Sequence, residues 1–358
     1  MTSPAGPLAF TPHPPAPSPL RERGSASDLF PLSQRERGSG GEVWPLMWTL
    51  LLLLTLISPR LCAQAPRAHA PIRPRADLVL QRQLTAAVRG FDGKVGIYVR
   101  NLRTGRYAAI AADSAFPTAS MIKVPILIAT FDAIQQGRLA YTQQLTYTDS
   151  LAYRDEDELG YQLKDSAKVR LSWVEMMMLT LSDNTSALWL QSLAGTGTTI
   201  NAWLESHGFK VTRINSRTPG REAMRAQYGW GVTTPREMTD LLVMIRQGRA
   251  VSPAASQEMY RHLTRSYWTG EAISQIPPWV QAATKQGAVD HSRSETVLVN
   301  APHGDYVFSV ITRDQADSSY EANNAGFVLI RRVSALLWKH FEPTHPFTPA
   351  EGVEKFKP

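Results

Sequence analysis

Apolar and polar residues alternate near both ends of the globular part of this chain and recur at helical spacing between them. Lys94–Arg100 (KVGIYVR) and Tyr107–Ala112 read as strands, and Thr104-Gly105 between them is a hairpin signal. Three further strands are expected at Ala282–Ala288, Glu295–Asn300 and Tyr306–Thr312, the last two joined across Pro302-His303-Gly304-Asp305. From Ser120 to about Val280 the pattern is mostly helical, broken at Gly137, at Gly195–Gly197 and through a polar loop at Asn215–Val232. A helix stands at each end of this pattern. Asp77 can cap one, with Leu80, Leu84 and Val88 on its inner face; Val328, Val333, Leu336 and Leu337 form the apolar side of the other. Strands from both ends must then share one sheet. The expectation is an α+β fold of three αβα layers, an antiparallel sheet flanked by the terminal helices with an all-helical lobe inserted. The α/β lobe takes residues 66–115 and 281–345, the helical lobe 116–280, and a small-molecule site is expected in the cleft between them.

The first 65 residues are different material. Residues 1–46 are rich in Pro, Gly, Ser and Arg and carry a near-repeat, Leu20-Arg21-Glu22-Arg23-Gly24 and Gln34-Arg35-Glu36-Arg37-Gly38. Such a stretch has little to bury and is expected to be disordered. The apolar run Met47–Ile57 is about half of the ~20 residues that a membrane-spanning helix needs. With Ala63-Gln64-Ala65 after it, the run reads as a secretory signal with cleavage near Ala63–Ala65, and Met47 is expected as the translation start. The alternative is an uncleaved anchor. Cleavage would remove Cys62 and leave no cysteine, which suits an oxidising exterior. A periplasmic or secreted protein is expected, without a membrane span after processing.

Composition narrows the function classes. With 43% hydrophobic and 19% charged residues the chain is not a disordered one, and its single cysteine excludes a disulfide scaffold. The net charge is +7, but no run of Lys/Arg is long enough for a nucleic-acid patch, so no such partner is expected. The basic balance favours an anionic small substrate or an anionic envelope surface. No H-E-x-x-H, C-x-x-C or clustered His/Asp spacing argues for a metal, and no cofactor is expected. His207, His262, His291 and His303 are dispersed and read as surface or turn residues. Gly195-Thr196-Gly197 follows no strand and lacks the third glycine of a dinucleotide loop, and Met176-Met177-Met178 and Trp189 read as helix core.

Three short motifs carry candidate chemistry. In Ser120-Met121-Ile122-Lys123, at the start of an apolar helix, i and i+3 share a face, so Lys123 Nζ can reach Ser120 Oγ and take its proton. The helix start also points the Ser120 N–H at developing negative charge. Ser182-Asp183-Asn184 joins two apolar helices, where each residue type also makes a good N-cap. In Lys285-Gln286-Gly287-Ala288, on a strand, Lys285 can meet a substrate carboxylate. There Gly287 lets a ligand backbone lie close, and the Ala288 N–H can act as a second oxyanion donor. Singly, each motif has a structural explanation.

Together, S-x-x-K, S-D-N and a K-x-G strand form the set of class A β-lactamases and penicillin-binding proteins. Their order resembles class A β-lactamases, as do Phe116-Pro117-Thr118-Ala119-Ser120, Leu181-Ser182-Asp183-Asn184-Thr185 and Thr233-Thr234-Pro235 before Met238. The resemblance covers roughly Asp77–Phe341. It implies Ser120 as acylated nucleophile, Lys123 as its proton acceptor and Ser182 as proton shuttle to the leaving nitrogen. Asn184 would bind substrate amide and orient the lysine, and Lys285 would anchor a carboxylate. It implies a serine hydrolase whose small-molecule substrate is a β-lactam or a peptidoglycan-like compound, and a monomer is expected. The alternatives are a D-alanyl-D-alanine peptidase or other amide or ester hydrolase, and a slow-turnover sensor of β-lactams or peptidoglycan fragments.

Two departures bear on turnover. Gln286 stands where the family has Thr or Ser. The family's Glu-x-x-x-Asn element, which holds the hydrolytic water, is missing from Asn215–Met224; the only carboxylate there is Glu222. Glu222 is therefore the first candidate for the deacylation base, against a surface Glu paired with Arg221 or Arg225. Glu175, two helical turns before Ser182, is the second.

Overall fold

The computed structural model describes residues 73–153 and 162–353. The leader expected over residues 1–65 lies outside the described residues. Among those described, no helix is long and apolar enough to cross a membrane.

A six-stranded sheet organises the molecule. Its strands are β1 (Arg75–Ala76), β2 (Lys94–Asn101), β3 (Arg106–Ile110), β9 (Ala282–Val289), β10 (Ser292–Val299) and β11 (Tyr306–Arg313), in the order β1-β3-β2-β11-β10-β9. Every pairing is antiparallel except the short parallel β1–β3 contact. Strands from the two ends of the chain meet where β2 pairs with β11, Tyr98 opposite Ser309. Period-2 alternation sorts the side chains. Val297, Val299, Phe308 and Val310 face α1 (Leu78–Ala87) and the C-terminal α9 (Ala325–Phe341), whereas Leu298, Val307 and Ile311 face the helical half. This is the αβα layering.

Local chemistry explains the flanking helices. Asp77 caps α1 by accepting from the Leu80 N–H at 3.1 Å, and Leu80 and Leu84 are buried against the sheet. Each such side chain contributes roughly 1.5–3 kcal/mol. The apolar side of α9 is rotated from the expected one. Leu329, Ile330, Val333, Leu337 and Trp338 are buried, while Val328 and Leu336 sit half-buried at its edge.

Between the two groups of strands lie α2 (Lys123–Gln135), α3 (Leu171–Met176), α4 (Asn184–Leu193), α5 (Thr196–Ser206), α6 (Glu222–Tyr228), α7 (Pro235–Arg246) and α8 (Pro253–Leu263). This half is not wholly helical. β4 (Phe116–Pro117), β7 (Arg213–Ile214) and β8 (Gly231–Thr233) form a small sheet, and β5 (Gln144–Thr146) pairs with β6 (Lys168–Arg170). The stretch read as a polar loop at Asn215–Val232 contains α6. Of the residues read as helix core, Met177, Met178 and Trp189 are core, while Met176 is half-buried.

Candidate active site

Ser120 lies in a 3₁₀ turn, Ala119–Ile122, and the α-helix begins only at Lys123. In a 3₁₀ turn, side chains at i and i+3 eclipse, which places Lys123 Nζ 2.9 Å from Ser120 Oγ. The turn is entered through Ala119 at φ +44°, a conformation that costs a non-glycine residue free energy.

The second serine is set by a break of another kind. After α3 the chain makes a π-helical turn, Met177–Leu181, and Ser182 closes it in the left-handed region at φ 65°. Asp183 then caps α4, its Oδ1 accepting from the Ser186 N–H. The cap is real, and it belongs to Asp183 alone. It leaves Ser182 and Asn184 facing Lys123, whose Nζ lies 3.1 Å from Ser182 Oγ, 2.5 Å from Ser182 O and 2.8 Å from Asn184 Oδ1.

Lys285 approaches from β9. Its Nζ donates to Ser182 Oγ at 3.0 Å, to Gln286 O at 3.0 Å and to Gln286 Oε1 at 2.7 Å. Both lysines have 0% exposure. Burial, reinforced by the nearby Lys123 charge, holds Lys285 well below the ordinary lysine range, with Glu295 opposing. Two amines thus bracket one serine hydroxyl. Gln286 is the immediate partner of Lys285, its amide oxygen accepting from the amine.

Gly287 serves a tighter purpose than ligand access. A Cβ there would lie 2.8 Å from Ser120 N, Ala119 Cβ and Ser294 Oγ, so the close approach is between β9 and the serine turn itself. The next residue, Ala288, lines the open cleft of about 690 Å³ with Ser120 and Asn184.

The opposite wall is formed by residues that sequence reasoning passed over. Arg225–Trp230, from the end of α6 up to the start of β8, line it with Tyr153, and the Tyr153 and Trp230 rings meet edge to face at 5.1 Å. Asn215 shapes this wall. Its N–H donates to Trp230 O, its Nδ2 to Met224 O and Gly229 O, and its Oδ1 accepts two bonds from Arg221. A buried Asn bonded through three backbone carbonyls carries no sequence motif, so nothing in the one-dimensional pattern marked it.

Both expected bases are elsewhere. Glu222 is exposed at the start of α6, its Oε1 accepting from the Gly220 N–H; the cleft is lined by the other end of that helix. Glu175 is fully buried on the side of α8, with His262 Nε2 3.9 Å away and Glu258 and Tyr141 beyond it. Two whole turns presuppose an unbroken α-helix, and the π turn before Ser182 shifts the phase. Among the described residues neither Glu175 oxygen has a hydrogen-bond partner, and burial with the Glu258 charge raises its pKa to about 8. His262 is likewise buried, not a surface residue, and its pKa is lowered by desolvation.

The β-lactamase enzyme family model matches residues 79–341. The chain belongs to that family. Its fold is shared with PBP-A, at 25% identity and a TM-score of 0.68, over 76% of this chain and 100% of that one. A mutant of PBP-A determined as an acyl-enzyme complex with penicillin G matches at 26% identity and 0.67, over 76% and 99%. An ancestral class A β-lactamase matches at 23% identity and 0.64, over 73% and 100%. The protein is accordingly a serine hydrolase of the β-lactamase and penicillin-binding-protein kind.

Proposed function

We propose that the protein opens β-lactam rings through an ester on Ser120, and that it is exported to do so. The observation that carries this reading is the chain Ser120 Oγ–Lys123 Nζ–Ser182 Oγ–Lys285 Nζ, every step within hydrogen-bond reach. As a neutral amine, Lys123 has two N–H donors and one lone pair. Ser182 O and Asn184 Oδ1 lie within reach of the donors, and the lone pair can take the Ser120 hydroxyl proton. Ser120 Oγ then attacks the ring carbonyl, whose oxygen is met by the N–H groups of Ser120 and Ala288. The C–N bond breaks, and Ser182 gives its proton to the nitrogen, with the lysine ammonium beside it to restore it. An arriving substrate carboxylate favours the charged form of Lys285, and the Gln286 amide supplies a donor.

PBP-A, in mutant form, makes an acyl-enzyme with penicillin G; the same adduct is expected here on Ser120. A fluorescent penicillin should label the protein, and intact-protein mass spectrometry should find the added mass on a peptide containing Ser120. Equal labelling of Ser120→Ala would overturn the assignment. Export rests on Met47–Ile57 and Ala63-Gln64-Ala65, and N-terminal sequencing of envelope material should find an end near Gln64–Pro66.

One observation favours a slower reading, a peptidase or a sensor. On the wall formed by Arg225–Trp230 none of the side chains is a carboxylate, so no base there can hold the hydrolytic water. A positioned base is worth roughly 10²–10⁴ in rate. The ester is therefore expected to outlive its formation and to accumulate during turnover.

A further inference from the structure

At the other end of the sheet three potential metal ligands converge. His303 lies in the β10–β11 turn, Glu342 caps the C-terminus of α9, and His345 follows one turn later. Glu342 is fully buried, and its orientation is fixed: Oε1 accepts from the His303 N–H at 2.8 Å. That leaves Oε2 facing His303 Nδ1 at 2.6 Å and His345 Nδ1 at 3.4 Å. The three ligand atoms lie within 4.8 Å of one another. Both rings are about half exposed, so the buried oxygen forms the floor of a site open to solvent.

The backbone holds the ligands in place. The Trp338 indole N–H donates to His345 O at 2.7 Å, and the His345 N–H to Glu342 O at 3.0 Å. Arg103 Nε donates to His303 O. Two imidazole nitrogens and a carboxylate oxygen are a donor set for a borderline divalent ion rather than for Ca²⁺ or Mg²⁺. Zn²⁺ binds such ligands at about 2.0–2.2 Å, which puts tetrahedral ligand atoms about 3.3 Å apart. The His345–Glu342 contact already has that length, the His303–Glu342 contact is shorter by less than about 1 Å, and both exposed rings are free to adjust toward a common ion. Thr344 Oγ1, 3.1 Å from His345 Nδ1, is on an exposed residue and free to turn away.

We propose that His303, Glu342 and His345 form a zinc-class divalent metal site, with solvent completing the coordination. Bound metal would tie the segment after α9 to the β10–β11 turn. The site is not part of the catalytic cleft. Ser292, at one end of β10, lines the cleft, whereas His303 follows the other end, about 23 Å away for seven steps of extended strand.

Titration of the metal-free full chain with Zn²⁺, by calorimetry and by equilibrium dialysis, should show a saturable step of one ion per chain. Zn²⁺ should also raise the melting temperature, because the ion binds only the folded arrangement. His303→Ala and His345→Ala should each weaken that step by at least about tenfold and abolish the zinc-dependent shift. Both residues are surface-exposed, and circular dichroism without zinc should find the variants folded. Glu342→Gln, which keeps the shape of the buried side chain, should weaken binding as well. Labelling of Ser120 by a fluorescent penicillin should be the same with and without zinc. Failure to bind zinc saturably, or unchanged binding in both histidine variants, would overturn the proposal.

Discussion

The two walls of the cleft are built in opposite ways. On one, buried amines and hydroxyls from three separated segments converge: Lys123 and Lys285 both reach Ser182, and Gly287 brings β9 against the Ser120 turn. On the other, Arg225–Trp230 are held from behind by Asn215, while the side chains they turn to the cleft include no carboxylate. On the first wall Ser120 Oγ, Lys123 Nζ, Ser182 Oγ and Lys285 Nζ form one chain of hydrogen-bond contacts. The second is ordered without offering a base to water. Forming an ester and hydrolysing it are separable tasks, and the carboxylates that line the cleft, Asp290 and Asp314, stand on other segments than this wall.

The largest expected effect lies on the equipped wall. Lys123→Ala should slow acylation by about 10²–10⁴-fold in a fluorescent-penicillin time course, the usual cost of a lost general base. Unchanged labelling would mean that the Ser120 proton goes elsewhere. Next comes the strand contact. Gly287→Val puts a branched side chain where even a Cβ lies 2.8 Å from Ser120 N, so the strand must shift. A stability loss of roughly 1–3 kcal/mol by denaturant melts is expected, together with slower acylation. A purely structural role would reduce stability alone.

Glu175→Gln tests whether the buried carboxyl has any part in the comparison. In the fold its pKa is raised to about 8, with Glu258 contributing, so the folded protein keeps a proton that the unfolded chain has released. Stability should therefore fall as pH rises between the ordinary glutamate value and pH 8. Below about pH 6.5, the lowered pKa of His262 works in the opposite direction. Between about pH 6.5 and 8 the Glu175 contribution to that loss is about 2 kcal/mol, at ~1.4 kcal/mol per pH unit. The raised pKa of Glu295 acts in the same direction and the lowered pKa of Lys285 opposes it. Glu175→Gln should flatten that slope in thermal melts while leaving the acyl-enzyme lifetime unchanged. The smallest effect is expected from Glu222→Gln. An exposed carboxylate off the cleft should change stability by less than about 0.5 kcal/mol and deacylation not at all. Faster loss of the adduct in the parent than in Glu222→Gln would show that Glu222 reaches the ester after all.

Much was legible along the chain because it depends on local pattern. Alternation located β2, β9, β10 and β11, and Asp77 is the cap its position predicts. The motifs located Ser120, Lys123, Ser182, Asn184 and Lys285 because their chemistry requires those residue types in short runs, and the fold brings them together. What failed depended on phase or on distance. The one-residue slip of the π turn took Glu175 out of register with Ser182, and the apolar side of α9 followed packing on the sheet rather than the nearest hydrophobic residues.

By itself, the sequence determined the αβα layering and which motif residues meet around Ser182, since hydrophobic period and short motifs are properties of neighbours. Tertiary structure alone decided which carboxylates face the cleft, why Gly287 has no side chain, and that His303 meets Glu342 and His345. Those outcomes depend on where distant segments come to rest. A burial, a 2.8 Å approach or a shared carboxylate oxygen exists only after the sheet has brought both ends of the chain together.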